Sequence, residues 1–136
     1  METLKKTVLI FDDDETILAA CKHILTRDGW TVHTSEDVRN LVEKTAQAGP
    51  DVILMDNWIP DTDGIVATRT LKNTPAFRHI PVIYFSANSD VASLAQSAGA
   101  DAFLAKPFSL KELVRVVNSF LVGVKNTIDE PAQQKK

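Results

Sequence analysis

The stretch Val52-Ile53-Leu54-Met55-Asp56 constrains this chain more than any other. Four apolar residues lead straight into one carboxylate, and turn-forming residues follow at once: Asn57-Trp58-Ile59-Pro60-Asp61-Thr62-Asp63-Gly64. A short unbroken apolar run bounded by turn signals reads as a strand covered on both faces, as in a parallel sheet. Asp56 then emerges at the strand's carboxyl end, the edge at which open α/β sheets bind their ligands. The arrangement recurs three times. Val8-Leu9-Ile10-Phe11 runs into Asp12-Asp13-Asp14, Val82-Ile83-Tyr84-Phe85 into Ser86-Ala87-Asn88, and Ala102-Phe103-Leu104-Ala105 into Lys106-Pro107. Four buried strands would deliver carboxylates, a hydroxyl and an ammonium to one edge.

Helical periods fill the gaps between these runs. Ile17, Leu18, Cys21, Ile24 and Leu25 share one helix face, and Gly29 follows as a C′ residue. A second strand over Trp30–Thr34 is polar and alternating, which predicts a sheet edge. Ser35 is the expected N-cap of a second helix with Val38, Leu41, Val42 and Thr45 inward, closed by Gly49-Pro50. A third helix is expected from Asp63-Gly64 to before Pro75, carried by Ile65, Val66, Ala67 and Leu71. The fourth has Val91, Leu94, Ala95 and Ala98 inward and ends at Gly99. The fifth opens with a capping box, Ser109-Leu110-Lys111-Glu112. It is expected to bury Leu110, Leu113, Val114, Val117, Phe120 and Leu121, and to end near Gly123. Strict alternation of strand and helix implies a parallel sheet with helices on both faces. Residues 1–124 are expected to form one domain, and residues 125–136, polar and without periodicity, a flexible tail or linker.

Composition narrows the function classes. At 136 residues, 44% hydrophobic and 24% charged, the chain can bury one core. A net charge of -3 offers no global basic footprint for nucleic acid. The single Cys21 excludes an internal disulfide and reads as a core residue, in keeping with a reducing compartment. No apolar stretch is long enough to cross a bilayer, and Met1–Lys6 lacks a signal peptide's apolar segment, so a soluble cytoplasmic protein is expected. His23, His33 and His79 fall on three separate elements without metal-ligand spacing.

The strand ends suggest the chemistry. If the first and third main strands are neighbours, Asp12, Asp13 and Asp56 lie close together and repel. A divalent cation resolves that conflict, and Mg²⁺ suits carboxylates completed by waters and phosphate oxygens. Lys106 adds a point charge for a phosphoryl group and Ser86 a hydrogen-bond donor. Asp56 remains as a nucleophile able to form an aspartyl phosphate. Taken singly, each residue has a plainer role: Asp14 reads as a helix cap, Ser86 as a turn residue and Lys106 as a surface lysine. It is their joint occurrence at four strand ends that argues for a site.

Over Thr7–Val122 the chain resembles a receiver domain of bacterial two-component response regulators. The motifs are the acidic pair after the first strand, M-D-x-x-x-P-x-x-D-G around Asp56, S-A at Ser86-Ala87, and K-P-F at Lys106-Pro107-Phe108. The resemblance implies a flavodoxin-like three-layer sandwich: a five-stranded parallel sheet of order 2-1-3-4-5 with five helices. It implies Asp56 as phospho-acceptor, with Mg²⁺ held by Asp12, Asp13, Asp56 and the main-chain carbonyl of Trp58. Ser86 would be the switch hydroxyl, Lys106 the bridge to the phosphoryl group, and Phe103 the aromatic switch. Trp58 and Asn88 sit where the family tunes the lifetime of the phosphoryl group, and Trp58 is expected to restrict attacking water. Lys106-Pro107 is expected to be cis. Ser86 stands where Thr is commoner, and Phe103 lacks the hydroxyl of the Tyr variant.

The implied function is to accept a phosphoryl group from a histidine kinase or a histidine phosphotransfer protein and to switch conformation, without turnover in the enzyme sense. Ile17, Leu18 and Pro107 are expected to touch the donor. The fourth helix, fifth strand and fifth helix are expected to signal and could pair two copies. No binding to nucleic acid or membrane is expected. A rival reading takes Asp12-Asp13-Asp14-Glu15-Thr16 as D-x-D-x-T, resembling haloacid-dehalogenase-like phosphatases with Asp12 as nucleophile and Asp14 as general acid. That family needs an acidic pair after its lysine, where this chain has Pro107-Phe108-Ser109-Leu110. A receiver fold used only as a binding module is the third reading.

Overall fold

The computed structural model describes residues 6–59, 62–87 and 89–121, with the backbone alone at Trp58, Ile59 and Thr62. Five parallel strands form the sheet: β1 (Thr7–Phe11), β2 (Thr31–Ser35), β3 (Val52–Asp56), β6 (Val82–Ser86) and β7 (Ala102–Ala105). Their order is β2-β1-β3-β6-β7, which is 2-1-3-4-5 when the main strands are numbered along the chain. Between β3 and β6, β4 (Trp58–Ile59) and β5 (Thr62–Asp63) make a small antiparallel ribbon. The residue pattern alone predicts only a turn there.

Five helices connect the strands: α1 (Glu15–Arg27), α2 (Leu41–Ala48), α3 (Gly64–Lys72), α4 (Val91–Ala98) and α5 (Leu110–Asn118). On one side of the sheet, Val8, Ile10, Val52, Leu54, Ile83 and Phe85 pack with Leu18, Cys21 and Leu25 of α1 and Leu113 and Val117 of α5. On the other, Leu9, Phe11, Ile53, Met55 and Val82 pack with Ala67 and Leu71 of α3. Strand alternation sorts the two sets, since neighbours along a strand face opposite ways. Fully burying each such side chain contributes about 1.5–3 kcal/mol, so the central strands dominate the core.

Three of the four apolar runs are buried along their whole length, but β7 is not. It is an edge strand with β6 on one side; Leu104 is buried while Phe103 is 48% exposed. Continuous hydrophobicity therefore overstated its cover. The other edge, β2, is polar as expected.

The second helix also differs from expectation. It starts at Leu41, after Asn40 in the left-handed region (φ 55). Ser35 is no N-cap but the last residue of β2, with its hydroxyl donating to the carbonyl of Asp37 at 2.6 Å. Lys44 also bonds the Ser35 hydroxyl and the Asp37 carboxylate, so this polar turn is closed before the helix begins. Thr45 is buried and donates to the Leu41 carbonyl, whereas Val42 faces outward. Val66 and Leu110, expected inward, are exposed because each lies off the buried stripe of its short helix. The other boundaries follow their signals. Asp14 caps α1, Asp63 caps α3 and Ser109 caps α5 through the Glu112 N–H, while Gly29, Gly49 and Gly99 have positive φ at helix ends. The expected end near Gly123 and the tail from Lys125 lie outside the described residues.

Candidate functional site

The carboxyl ends of β1, β3, β6 and β7 converge at one edge of the sheet. Asp12 follows β1, Asp56 ends β3, Ser86 ends β6 and Lys106 follows β7. Asp12, Asp56 and Ser86 are buried, whereas Asp13 is exposed. Lys106 Nζ lies 2.9 Å from Asp12 Oδ2 and 2.9 Å from Asp56 Oδ1, so one ammonium bridges two buried carboxylates. It also sits 4.8 Å from the centroid of the Phe85 ring. Asp12 is fixed further by its main-chain N–H, which donates to the Ser35 carbonyl, and by its Oδ1, which accepts from the Asp14 N–H at 2.9 Å.

Asp12, Asp13 and Asp56 each present a ligand oxygen, and these atoms all lie within 4.8 Å of one another. Carboxylate oxygens at that spacing, one set facing solvent, are a hard donor set that fits Mg²⁺ with waters completing its shell. Burial pushes the Asp56 carboxyl above the ordinary range; its bond to Lys106 pulls back, and the charge of Asp12 pushes upward again. Burial alone would lower the Lys106 ammonium, but the bonds to Asp56 and Asp12 more than offset it and hold it above 10.5. The ammonium is therefore charged throughout the neutral range.

The loop after Asp56 is held by close backbone contacts. The Asn57 N–H donates to the Phe85 carbonyl at 3.1 Å, and its carbonyl accepts from the Gly64 N–H at 2.8 Å. A Cβ on Gly64 would stand 2.1 Å from the Asp56 carbonyl oxygen. Glycine is required here by that approach, which lets α3 begin directly against the acidic strand end. Sequence reasoning passed over one residue that the fold brings to this loop. Tyr84 is wholly buried in β6, and its hydroxyl donates to Asn57 Oδ1. A tyrosine within a strand expected to be buried on both faces was the available signal, because a buried phenol needs a partner.

The other expected residues are distributed as follows. Phe103 pairs in register with Tyr84 and projects from the edge strand. The backbone of Trp58 pairs with Asp63; its side chain and Asn88 lie outside the described residues. Ile17 and Pro107 line, with Ala20, Cys21, Phe108 and Leu110, an apolar depression of about 310 Å³ beside Lys106. Leu18, expected beside them as a contact, is buried in the core instead, because it lies on α1's sheet-facing side. The Lys106-Pro107 peptide is cis. Asp14 is the α1 cap, its carboxylate accepting from Thr16 and Ile17 N–H groups. That occupies the residue the phosphatase-like reading needs as an acid.

Comparison with known proteins is consistent with this geometry. PilG of Pseudomonas aeruginosa is 32% identical over 114 residues, covering 82% of this chain and 84% of PilG. The transcriptional regulatory protein TrcR of Mycobacterium tuberculosis is 31% identical over 116 residues, covering 84% of this chain and 44% of TrcR. The chain spans about half the length of most of the curated relatives it matches. The receiver domain of a Pseudomonas aeruginosa sensor histidine kinase, solved with a magnesium ion coordinated in its active site cleft, superposes with a TM-score of 0.77 at 28% identity, over 86% of this chain and 98% of that one. The profile of the response regulator receiver domain matches residues 8–118. A match that begins in β1 and ends on the last residue of α5 takes in the whole sheet: the chain belongs to the response regulator receiver domain family, whose members are signalling domains.

Proposed function

We propose that this domain accepts a phosphoryl group on Asp56 from a histidine kinase or a histidine phosphotransfer protein, and that the phosphorylated state switches a partner or an output domain. The observation that carries the reading is the Lys106 bridge, 2.9 Å to each of Asp12 and Asp56, at the mouth of the sheet. A carboxylate oxygen of Asp56 would attack phosphorus, forming a P–O bond as the P–N bond to the donor imidazole breaks. The imidazole leaves with the electron pair and takes a proton from solvent. Phosphoryl transfer of this kind needs mainly alignment and charge neutralisation.

Asp12, Asp13 and Asp56, with the Trp58 carbonyl, would hold Mg²⁺, which when bound neutralises charge on the phosphoryl oxygens. Lys106 would exchange its bond to Asp56 for one to the phosphoryl group, and Ser86 would donate to another of its oxygens. The apolar depression flanked by Ile17 and Pro107 would receive the donor protein. The face of α4, β7 and α5, with Phe103 exposed on it, would carry the signal outward. We place the domain in the cytoplasm; among the described residues no helix is long and apolar enough to cross a membrane.

Intact mass after incubation with acetyl phosphate and Mg²⁺ tests the reading. The wild type should gain one phosphoryl group and Asp56→Asn none. If Asp56→Asn still gains it while Asp12→Asn does not, Asp12 is the nucleophile and the phosphatase-like reading replaces this one. If neither wild type nor variant gains it from acetyl phosphate or from a phosphorylated histidine donor, the domain is a binding module.

A further inference from the structure

Tyr84 is among the largest fully buried side chains, and it lies in the middle of β6. Its ring packs against Val91, Ala95 and Ala98 of α4. Its hydroxyl, taken out of water, donates to Asn57 Oδ1. Burial, then the charges of Asp63 and Asp56, push the phenol up to about 12, so it is a donor throughout the neutral range. Because Oδ1 is engaged, the orientation of the Asn57 amide is fixed.

Asn57 is thereby anchored at three points. Its N–H reaches the Phe85 carbonyl, its carbonyl receives the Gly64 N–H, and its side chain is held by Tyr84. The two main-chain bonds fix the peptide groups; the side-chain bond removes the remaining freedom at the residue joining Asp56 to Trp58. On the proposed function those two neighbours supply a carboxylate and a carbonyl to the same cation. A small rotation at Asn57 would turn the second away from the first, and groups that must converge on one ion tolerate little such error.

We infer that the Tyr84 hydroxyl is a positioning group for the phosphoryl-transfer site, acting through Asn57 to hold the Asp56–Trp58 backbone in its Mg²⁺-binding conformation. The inference rests on the proposed function and adds to it a residue on a strand face that touches no reacting atom. It differs from a merely stabilising bond in its consequences. A stabilising bond changes the unfolding midpoint; a positioning bond changes metal affinity in protein that is fully folded.

The test uses Tyr84→Phe, which keeps the ring and its packing and removes one oxygen, together with Asn57→Ala and the double variant. Mg²⁺ affinity is measured by calorimetry on samples whose circular dichroism matches the wild type. Tyr84→Phe should bind Mg²⁺ roughly fivefold more weakly, the scale of one net hydrogen bond. Phosphorylation by acetyl phosphate should slow by a similar factor below saturating Mg²⁺ and recover at saturation. The double variant should be no worse than Asn57→Ala. Mg²⁺ affinity of Tyr84→Phe within twofold of wild type overturns the inference, whatever happens to thermal stability, and so do losses that add in the double variant. Wild-type protein that takes up neither Mg²⁺ nor a phosphoryl group overturns the proposed function, and this inference with it.

Discussion

Lys106→Met should destabilise the metal-free domain at pH 7 by about 3 kcal/mol, because it removes the ammonium that two buried carboxylates share. A charge pair some 4 Å apart at an effective dielectric of about 20 is worth about 4 kcal/mol. Two such attractions are lost, but the variant no longer desolvates an ammonium, and either carboxyl can take up a proton. Removing one partner from a buried ion pair costs about 3–5 kcal/mol, and proton uptake trims that toward the lower end. For a domain of this size the midpoint of thermal unfolding should fall by roughly 10 °C. The sign with pH follows from the shifts. Lys106 is held above 10.5, so its stabilisation is complete below that value and is lost as pH rises through its folded value. The Asp56 carboxyl is raised above 3.8, so ionising it costs stability above its folded value, and more so without the lysine. The deficit of Lys106→Met should therefore be widest at neutral pH, narrow as pH falls into the carboxylate range, and narrow again at strongly alkaline pH. Urea unfolding in EDTA at pH 5 and pH 7 measures it. A variant as stable as wild type at pH 7, or a deficit that widens at pH 5, would refute the bridge as the element holding these carboxylates in place.

Gly64→Ala should cost about 2–4 kcal/mol of stability, since its Cβ would lie 2.1 Å from the Asp56 carbonyl and one backbone or the other must move; an unchanged denaturation midpoint counts against that approach. Cys21 is buried and its thiol is raised to about 11, by burial first and then by Asp12. Native protein at pH 8 should therefore react with a disulfide reagent orders of magnitude more slowly than protein in urea, and a fast native reaction would contradict the core assignment. Trp58→Ala should shorten the lifetime of the phosphorylated form if the indole restricts water; a dephosphorylation rate that stays equal or drops rejects that role.

What the sequence disclosed depended on how local each cause was. Apolar runs ending in chemistry placed Asp12, Asp56, Ser86 and Lys106 at one sheet edge, because a strand's burial and its last residue are written in consecutive positions. Caps were legible for the same reason: Asp14 and Ser109 act on N–H groups within three residues. The misreadings came where a distant partner decides. The apolar run of β7 reads like that of β6, yet only a neighbour on its far side would bury Phe103. Ser35 has the chemistry of a cap, but pairing with β1 keeps it in the strand and Lys44 occupies its hydroxyl. The Tyr84–Asn57 bond spans 27 residues, and the contact that forbids a side chain at Gly64 is with backbone, so neither leaves a spacing to read.

These long-range contacts also bear on how a charge at one edge could move a helix. Among the described residues, three carboxylates and one ammonium give the site a formal charge of -2, and Lys106 is already engaged by two of the carboxylates. On the proposed function, phosphorylation turns the Asp56 carboxylate into a group carrying nearly one further negative charge and three acceptor oxygens. Lys106 has three N–H donors and two are engaged, so serving more than one of the new oxygens means giving up an old bond, which changes the local arrangement. Two residues of β6 stand ready to pass that change on. Ser86 and Tyr84 lie two apart and so face the same side of the sheet. The first ends the strand beside Asp56; the second joins Asn57 to the ring packing of Val91, Ala95 and Ala98. A shift at Asn57 therefore alters the bed on which α4 rests. Small shifts are passed on discretely, because a close-packed surface resists continuous deformation. The route is testable apart from the chemistry: amide exchange along α4 should respond to Mg²⁺ and phosphorylation in wild type and respond less in Tyr84→Phe at saturating Mg²⁺, and an equal response in both would place the link elsewhere.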